Sequence, residues 1–273
     1  MRRFLLFLIL SVLFSQTLLA QIFRFGVPNL EAYDKELFHF GFSLGIDIVD
    51  VNLKTRSNYL LPDNIAPNNR VLEIYSKPNP AFNVGIVANL RLGRFFDLRF
   101  IPAFSIAHDI NLYYRFAEEV PDPNSKKTGA FTKLVLRKIE GHYINLPLFV
   151  KFKSSRMHNV RIYVLAGGQV SINMMSAKNN KTPTVDPDRA KVEIIPIIKP
   201  YDVQVKGGFG FDFYTTYFKF STEFHVSFGV INLLENPKGI KDKENIDKYL
   251  TSPIVTGLKD LKSQTFTISF IIE

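Results

Sequence analysis

Residues 223–227 read Glu-Phe-His-Val-Ser, which places an acid, a base and a hydroxyl at alternate positions. Acyl transfer uses those three types: a nucleophile, a general base that takes its proton, and a carboxylate that orients the base. Alternate spacing belongs to a strand, where Glu223, His225 and Ser227 point the same way at intervals of about 7 Å, too far apart for direct hydrogen bonding. No G-x-S-x-G elbow accompanies them. No catalytic residue is therefore assigned, and the chain is not expected to be an enzyme. His39, His108, His142, His158 and His225 show no i, i+4 spacing, and the sequence has no Cys to pair with them, so no metal site is expected. "GGFGFD" (207–212) is Gly-rich but lacks the Gly-Lys-Ser/Thr ending of a phosphate loop. Its glycines are expected to relieve crowding, and no cofactor is implied. Glu118 and Glu119 read as solvated loop residues.

The elements that carry these residues follow one pattern. In "HFGFSLGIDI" (39–48), Phe40, Phe42, Leu44, Ile46 and Ile48 alternate with His39, Gly41, Ser43, Gly45 and Asp47. Alternation of this kind marks a strand with one apolar and one polar face. It recurs over 81–92, 95–107, 142–153, 161–172, 201–213, 218–228 and 263–273. About eight strands result, the smallest common even number for an outer-membrane barrel. Residues 93–94, 154–160 and 214–217 form tight turns, whereas 51–79, 109–140, 175–199 and 230–262 are long and rich in Pro, Asn and charge. Long and short connections alternate, so all long loops share one rim, while the turns and both termini share the other. Bacterial outer-membrane barrels have that asymmetry, with long extracellular loops and short periplasmic turns.

Alternation leaves open which face looks inward, because a lipocalin-like soluble barrel is apolar inside. Two observations favour apolar outward. The apolar faces are rich in Phe, whose volume would overfill a lumen of eight strands. The opposite faces mix Gly, Ser and Asn with charges of both signs, so Asp47, Asp97, Asp202, Asp212 and Glu223 could pair inside with Arg91, Arg99, Lys151, Lys206 and Lys219. A lumen filled by such pairs is a plug and not a pore. Strands of this length, at ~3.3 Å per residue and ~40° tilt, cover about 25 Å, the height of a lipid-facing band. Tyr113, Tyr114, Tyr143, Tyr201, Tyr214 and Tyr217 lie near strand ends, where an interfacial girdle would place them. The fold expected is thus all-β: an eight-stranded antiparallel transmembrane β-barrel with four long extracellular loops and short periplasmic turns.

Bulk properties agree. The 273 residues are 46% hydrophobic, and mean hydropathy is only +0.04. That value hides a membrane preference when apolar residues alternate with polar ones. Arg2 and Arg3, an apolar run from Phe4 to Phe14 and a small residue at Ala20 read as a secretory signal. The alternative, an uncleaved anchor helix, is disfavoured by the shortness of the run. No lipidatable Cys follows. The division expected is 1–20 signal peptide, 21–37 periplasmic N-terminal segment and 38–273 barrel, placed in the cell outer membrane. The formal charge of +9 falls by two if Arg2 and Arg3 leave. Loops such as "NSKKTG" (124–129) and "KGIKDKENIDK" (238–248) mix Lys with acids. They suit anionic lipopolysaccharide, outer-membrane lipid or protein partners, and nucleic acid is excluded by location.

Three stretches resemble a known family. "YDKELFHFGFSLG" (33–45) is similar to the opening of the PorT family, outer-membrane barrels of Bacteroidetes associated with the type IX secretion system and with gliding motility. "GHYINLPLFVKFKS" (141–154) and "YVLAGGQ" (163–169) resemble its middle, although related small barrels of the phylum share those two segments. The resemblance implies a non-enzymatic part in exporting proteins with C-terminal sorting signals, through contact with other type IX components. The alternative is a general structural or adhesive barrel whose loops bind surface ligands.

Overall fold

The computed structural model describes residues 29–56, 71–120, 129–176, 196–235 and 252–273. The expected signal peptide and most of the basic loop stretches at 124–129 and 238–248 lie outside them. A 3-10 turn (Tyr33–Lys35) precedes β1 (Phe38–Thr55), β2 (Val71–Lys77), β3 (Asn79–Arg91), β4 (Phe96–Phe100), β5 (Ala103–Ile106) and β6 (Ile110–Val120). There follow β7 (Gly129–Ile139), β8 (Tyr143–Lys153), β9 (Val160–Asn173), β10 (Tyr201–Tyr214), β11 (Lys219–Gly229), a short helix α1 (Pro253–Thr256) and β12 (Leu258–Ile272).

Nine of these strands occupy eight wall positions, in the order β1, β12, β11, β10, β9, β8, β4 with β5, and β3. Strand β1 pairs antiparallel with both β12 and β3, which closes the ring. The pairing keeps parity: Phe42 lies between Ile86 and Ile272, and Ser43 between Gly85 and Ile271. Every wall strand therefore turns its apolar row the same way. That way is outward, since Phe40, Phe42 and Leu44 are 68%, 69% and 58% exposed while Ser43 and Asp47 are each 3% exposed. A soluble barrel would show the reverse.

The wall strand expected over 95–107 is interrupted. Pro102 has no N–H to give the ladder, and the gap is spanned by Ile86 N–H donating to the Pro102 carbonyl at 3.0 Å and Ile101 N–H donating to the Pro147 carbonyl at 3.3 Å. The tight turns lie where expected, around 92–95, 154–159 and 215–218.

The long connections are more ordered than their composition suggests. Within 51–79 and 109–140, β2, β6 and β7 form a separate three-stranded sheet at the extracellular rim. Their buried residues Val71, Ile74, Ile110, Leu112, Tyr114 and Ile139 pack with Val51, Leu258 and Leu261 from the extended ends of β1 and β12, and with Ile198, Leu233 and Ile254. This is an apolar core above the polar lumen.

The expected tyrosine girdle holds only in part. Tyr201 and Tyr217 are exposed, and Tyr113 is half-buried. Tyr114, Tyr143 and Tyr214 are buried. Parity explains the correction: Tyr143 shares its face with Asn145, Tyr214 shares its face with Asp212, and Tyr114 belongs to the core of the extracellular sheet.

Candidate functional site: the filled lumen

The inward rows meet in three tiers. Nearest the short turns, Arg99 of β4 is fully buried and donates to Glu223 of β11, to Glu273 at 3.0 Å and to Asn89 at 3.3 Å. Glu273 also pairs with Lys219 at 2.5 Å, Lys151 with Asp212 at 3.0 Å, and Lys153 with Asp97 at 2.5 Å. Tyr163 donates to Glu223 at 2.6 Å, and Lys151 Nζ lies 3.4 Å from the centre of the Tyr163 ring. Strands β4, β8, β9, β10 and β11 contribute to this layer together with Glu273, just past β12, so it crosses the barrel from wall to wall. Space for it comes from Gly210, where a Cβ would stand 2.6 Å from the Tyr163 ring carbon and hydroxyl. One of the glycines of "GGFGFD" thus relieves crowding.

Above the ionic layer the partners are hydroxyls and amides. Thr267 donates to Asp47 at 2.7 Å and Ser105 to its other oxygen at 3.2 Å. Gln204 donates to Asp202 at 2.6 Å, and Ser263 also donates to Asp202. Lys206 donates to Gln169 at 3.2 Å. A cavity of about 30 Å³ remains among Asp47, His108, Asn145, Lys206, His225 and Thr265, enough for roughly two waters. The apolar core then closes the extracellular end.

Of the ten charges expected inside, Asp97, Asp212, Glu223, Arg99, Lys151 and Lys219 form ion pairs. Asp47 and Asp202 make no ion pair among the described residues; neutral donors bind both oxygens of Asp47, whereas both bonds to Asp202 go to Oδ2 and its buried Oδ1 has no hydrogen-bond partner. Arg91 points to the rim and donates to the carbonyls of Gly93 and Lys35 at 3.3 and 3.2 Å. Glu273, Lys153, Tyr163, Arg161 and Asp34 escaped the sequence reading as partners. Parity could have found Glu273, two residues beyond inward Ile271, and Tyr163, two beyond inward Arg161.

The 223–227 triplet is brought partly together. His225 Nε2 lies 3.0 Å from a Glu223 oxygen, so the expectation that alternate residues cannot bond is overturned. A long carboxylate and a ring lean toward each other across the repeat. Ser227 donates instead to the Thr265 carbonyl at 3.2 Å, and His225 Nδ1 is buried without a partner. Among the described residues, no group of three His, Cys, Asp or Glu is placed to hold a metal ion.

The periplasmic mouth is closed by residues 29–37. Arg161 holds Asp34 with two bonds of 2.8 Å, Tyr33 stacks on His39 at 3.9 Å, and Asn29 is bound by Asn159 and Tyr214 at 2.9 and 3.1 Å. Burial alone would raise the Asp34 carboxyl, but the bonds and charge of Arg161, with Arg156 beside it, hold it below the usual carboxylate range.

A closed antiparallel ring, apolar outside and ion-paired inside, defines a β-barrel protein of the outer membrane. Residues 19–235 match the family model "Outer membrane protein beta-barrel domain", and the chain belongs to that family. No curated protein matches. Among solved structures, neisserial surface protein A (NspA) is similar at 8% identity and TM-score 0.37, covering 87% of this chain and 99% of that one. The outer membrane protein OprG from Pseudomonas aeruginosa matches at 10% identity and TM-score 0.38, over 86% and 94%. Ail, the attachment invasion locus protein of Yersinia pestis, matches at 10% identity and TM-score 0.30, over 87% and 98%.

Proposed function

We propose that this barrel is a non-enzymatic component of the type IX protein secretion system, acting by contact with other secretion components and not by conducting a solute. The observation that carries the reading is the ionic layer through Arg99, Glu223, Glu273 and Lys219. Among the described residues its ion pairs span the lumen from β4 to β11, and on this reading the work is done by the outer surfaces. The secretion pathway itself is supported by the resemblance of residues 33–45, 141–154 and 163–169 to the PorT family. Lipopolysaccharide and outer-membrane lipid are the surroundings that the apolar wall and the charged loops suit. Deletion of the gene tests the reading: cargo with C-terminal sorting signals should accumulate in the periplasm, and normal export would reject it.

A second reading, a general barrel that binds surface ligands, is favoured by the folded extracellular sheet. Removal of residues 109–140 should then abolish ligand binding while export continues.

A further inference from the structure

Strand β7 forms one edge of the extracellular sheet. It pairs with β6 over its whole length, from Ile110 opposite Ile139 to Val120 opposite Gly129. Among the described residues no strand lies along its other side. An unpaired edge presents a row of main-chain donors and acceptors to any extended chain. Natural edges are blunted by shortness, Pro, bulges or charged side chains, Lys above all; β7 has eleven residues, no Pro and an unbroken register, so charge at Lys133, Arg137 and Lys138 is the one such device it carries.

Its centre, Lys133-Leu134-Val135-Leu136, turns apolar side chains to both faces. Val135 packs on the apolar core, while Leu134 and Leu136 stand on the opposite face, 54% and 44% exposed, across from Arg115 and Tyr113 of β6. Apolar residues on both faces are the pattern of a strand covered on both sides. Here, among the described residues, one face and one edge are open.

Charge decides what could cover them. Strand β7 carries Lys133, Arg137 and Lys138 and no acid. Lys138 is engaged by Asp109 at 2.9 Å, whereas Lys133 is exposed and makes no ion pair among the described residues. A second copy paired antiparallel about Val135 would set Lys133 against Arg137, and a parallel in-register pair would set each cation against itself. Like charges directly opposite are destabilising, so the edge disfavours its own copy.

We propose that β7 accepts an added strand: an extended segment of a partner protein whose alternate residues are apolar, against Leu134 and Leu136, and acidic, against Lys133. This surface does not rest on the secretion reading. Export can fail with peptide capture intact, or the reverse.

The probe is a labelled, acetylated ten-residue peptide alternating Glu and Val, titrated by fluorescence anisotropy against the full chain folded in detergent micelles. Saturable binding is expected, at least ten-fold tighter than for the Lys-Val counterpart. N-methylating every second residue should abolish binding in one phase and spare it in the other, because only one edge of the peptide faces β7. Leu134→Thr with Leu136→Thr, which keeps strand propensity, should weaken binding at least ten-fold with an unchanged far-ultraviolet circular dichroism spectrum. Lys133→Glu, exposed and so not needed for folding, should favour the Lys-Val peptide. Absence of binding, equal binding of both peptides, or equal loss in both N-methylation phases overturns the proposal.

Discussion

Replacing Arg99 with Met tests whether the lumen is a dry ionic layer. Arg99 is 0% exposed and is shared between Glu223 and Glu273, both with fully buried side chains. In Arg99→Met the chain length is kept and the charge lost. Glu223 then retains Tyr163 at 2.6 Å and His225 at 3.0 Å, and Glu273 retains Lys219 at 2.5 Å. Removing one member of a buried ion network costs about 3–5 kcal/mol; the surviving partners place this case near the lower end, about 3 kcal/mol. A control lies in the extracellular sheet, where Arg115 and Glu73 pair at 3.0 Å with side chains 46% and 49% exposed. Arg115→Met should cost under about 1 kcal/mol. Adding Glu223→Gln to Arg99→Met should recover part of the loss by removing a carboxylate left short of its cation, a coupling of roughly 0.5–3 kcal/mol. Urea titration of the barrel in lipid vesicles, followed by circular dichroism because the chain has no Trp, measures all five proteins: the natural chain, Arg99→Met, Arg115→Met, Glu223→Gln and the double variant. Equal costs for Arg99→Met and Arg115→Met would show that water screens both sites alike, and the closed-lumen reasoning would fail.

Leu44→Arg places a cation on the outward face, where Leu44 is 58% exposed. It should cost about 2–4 kcal/mol in vesicles if that face meets acyl chains near the midplane, and a neutral result would reverse the orientation of the wall. Gly210→Ala drives a methyl into the Tyr163 ring, an overpacking worth about 1–3 kcal/mol. Tyr163→Leu in the same chain should make the pair less destabilising than the sum of the single changes in urea titration, and strict additivity would remove the steric account. Asp34 ties down residues 29–37, and its folded pKa lies below its unfolded value. Its stabilisation is therefore complete above the unfolded carboxyl pKa of about 4 and is lost as pH falls through the depressed folded value. Hydrogen exchange across 29–37, normalised for the intrinsic rate, should rise below pH ~4 in the natural chain and already be raised at neutral pH in Asp34→Asn. Exchange independent of pH in the natural chain would refute it.

The wall was legible because one bit of information, the parity of apolar residues, fixes a strand's faces whatever it pairs with. Partner choice inside the barrel was not. Arg99 and Glu223 lie 124 positions apart, and only the closed register tells Glu223 from Asp47 as the acid that Arg99 meets. Tyr114, Tyr143 and Tyr214 are buried because parity, and not nearness to a strand end, decides which way a side chain points. The extracellular sheet was hidden for a different reason: β2 and β7 carry apolar residues without alternation, and their surroundings read as loop. Location also separates the two kinds of packing. Ion pairs and short hydrogen bonds are directional, and the ionic tier sits beside the tight turns, which pin register. At the other rim the pairing is irregular, with a register shift at Lys54/Thr55 in β1 and another between Val71 and Glu73 in β2. Apolar burial is non-directional and tolerates such shifts. The barrel is therefore sealed with charge where its strand pairing is regular, and with hydrocarbon where that pairing is interrupted.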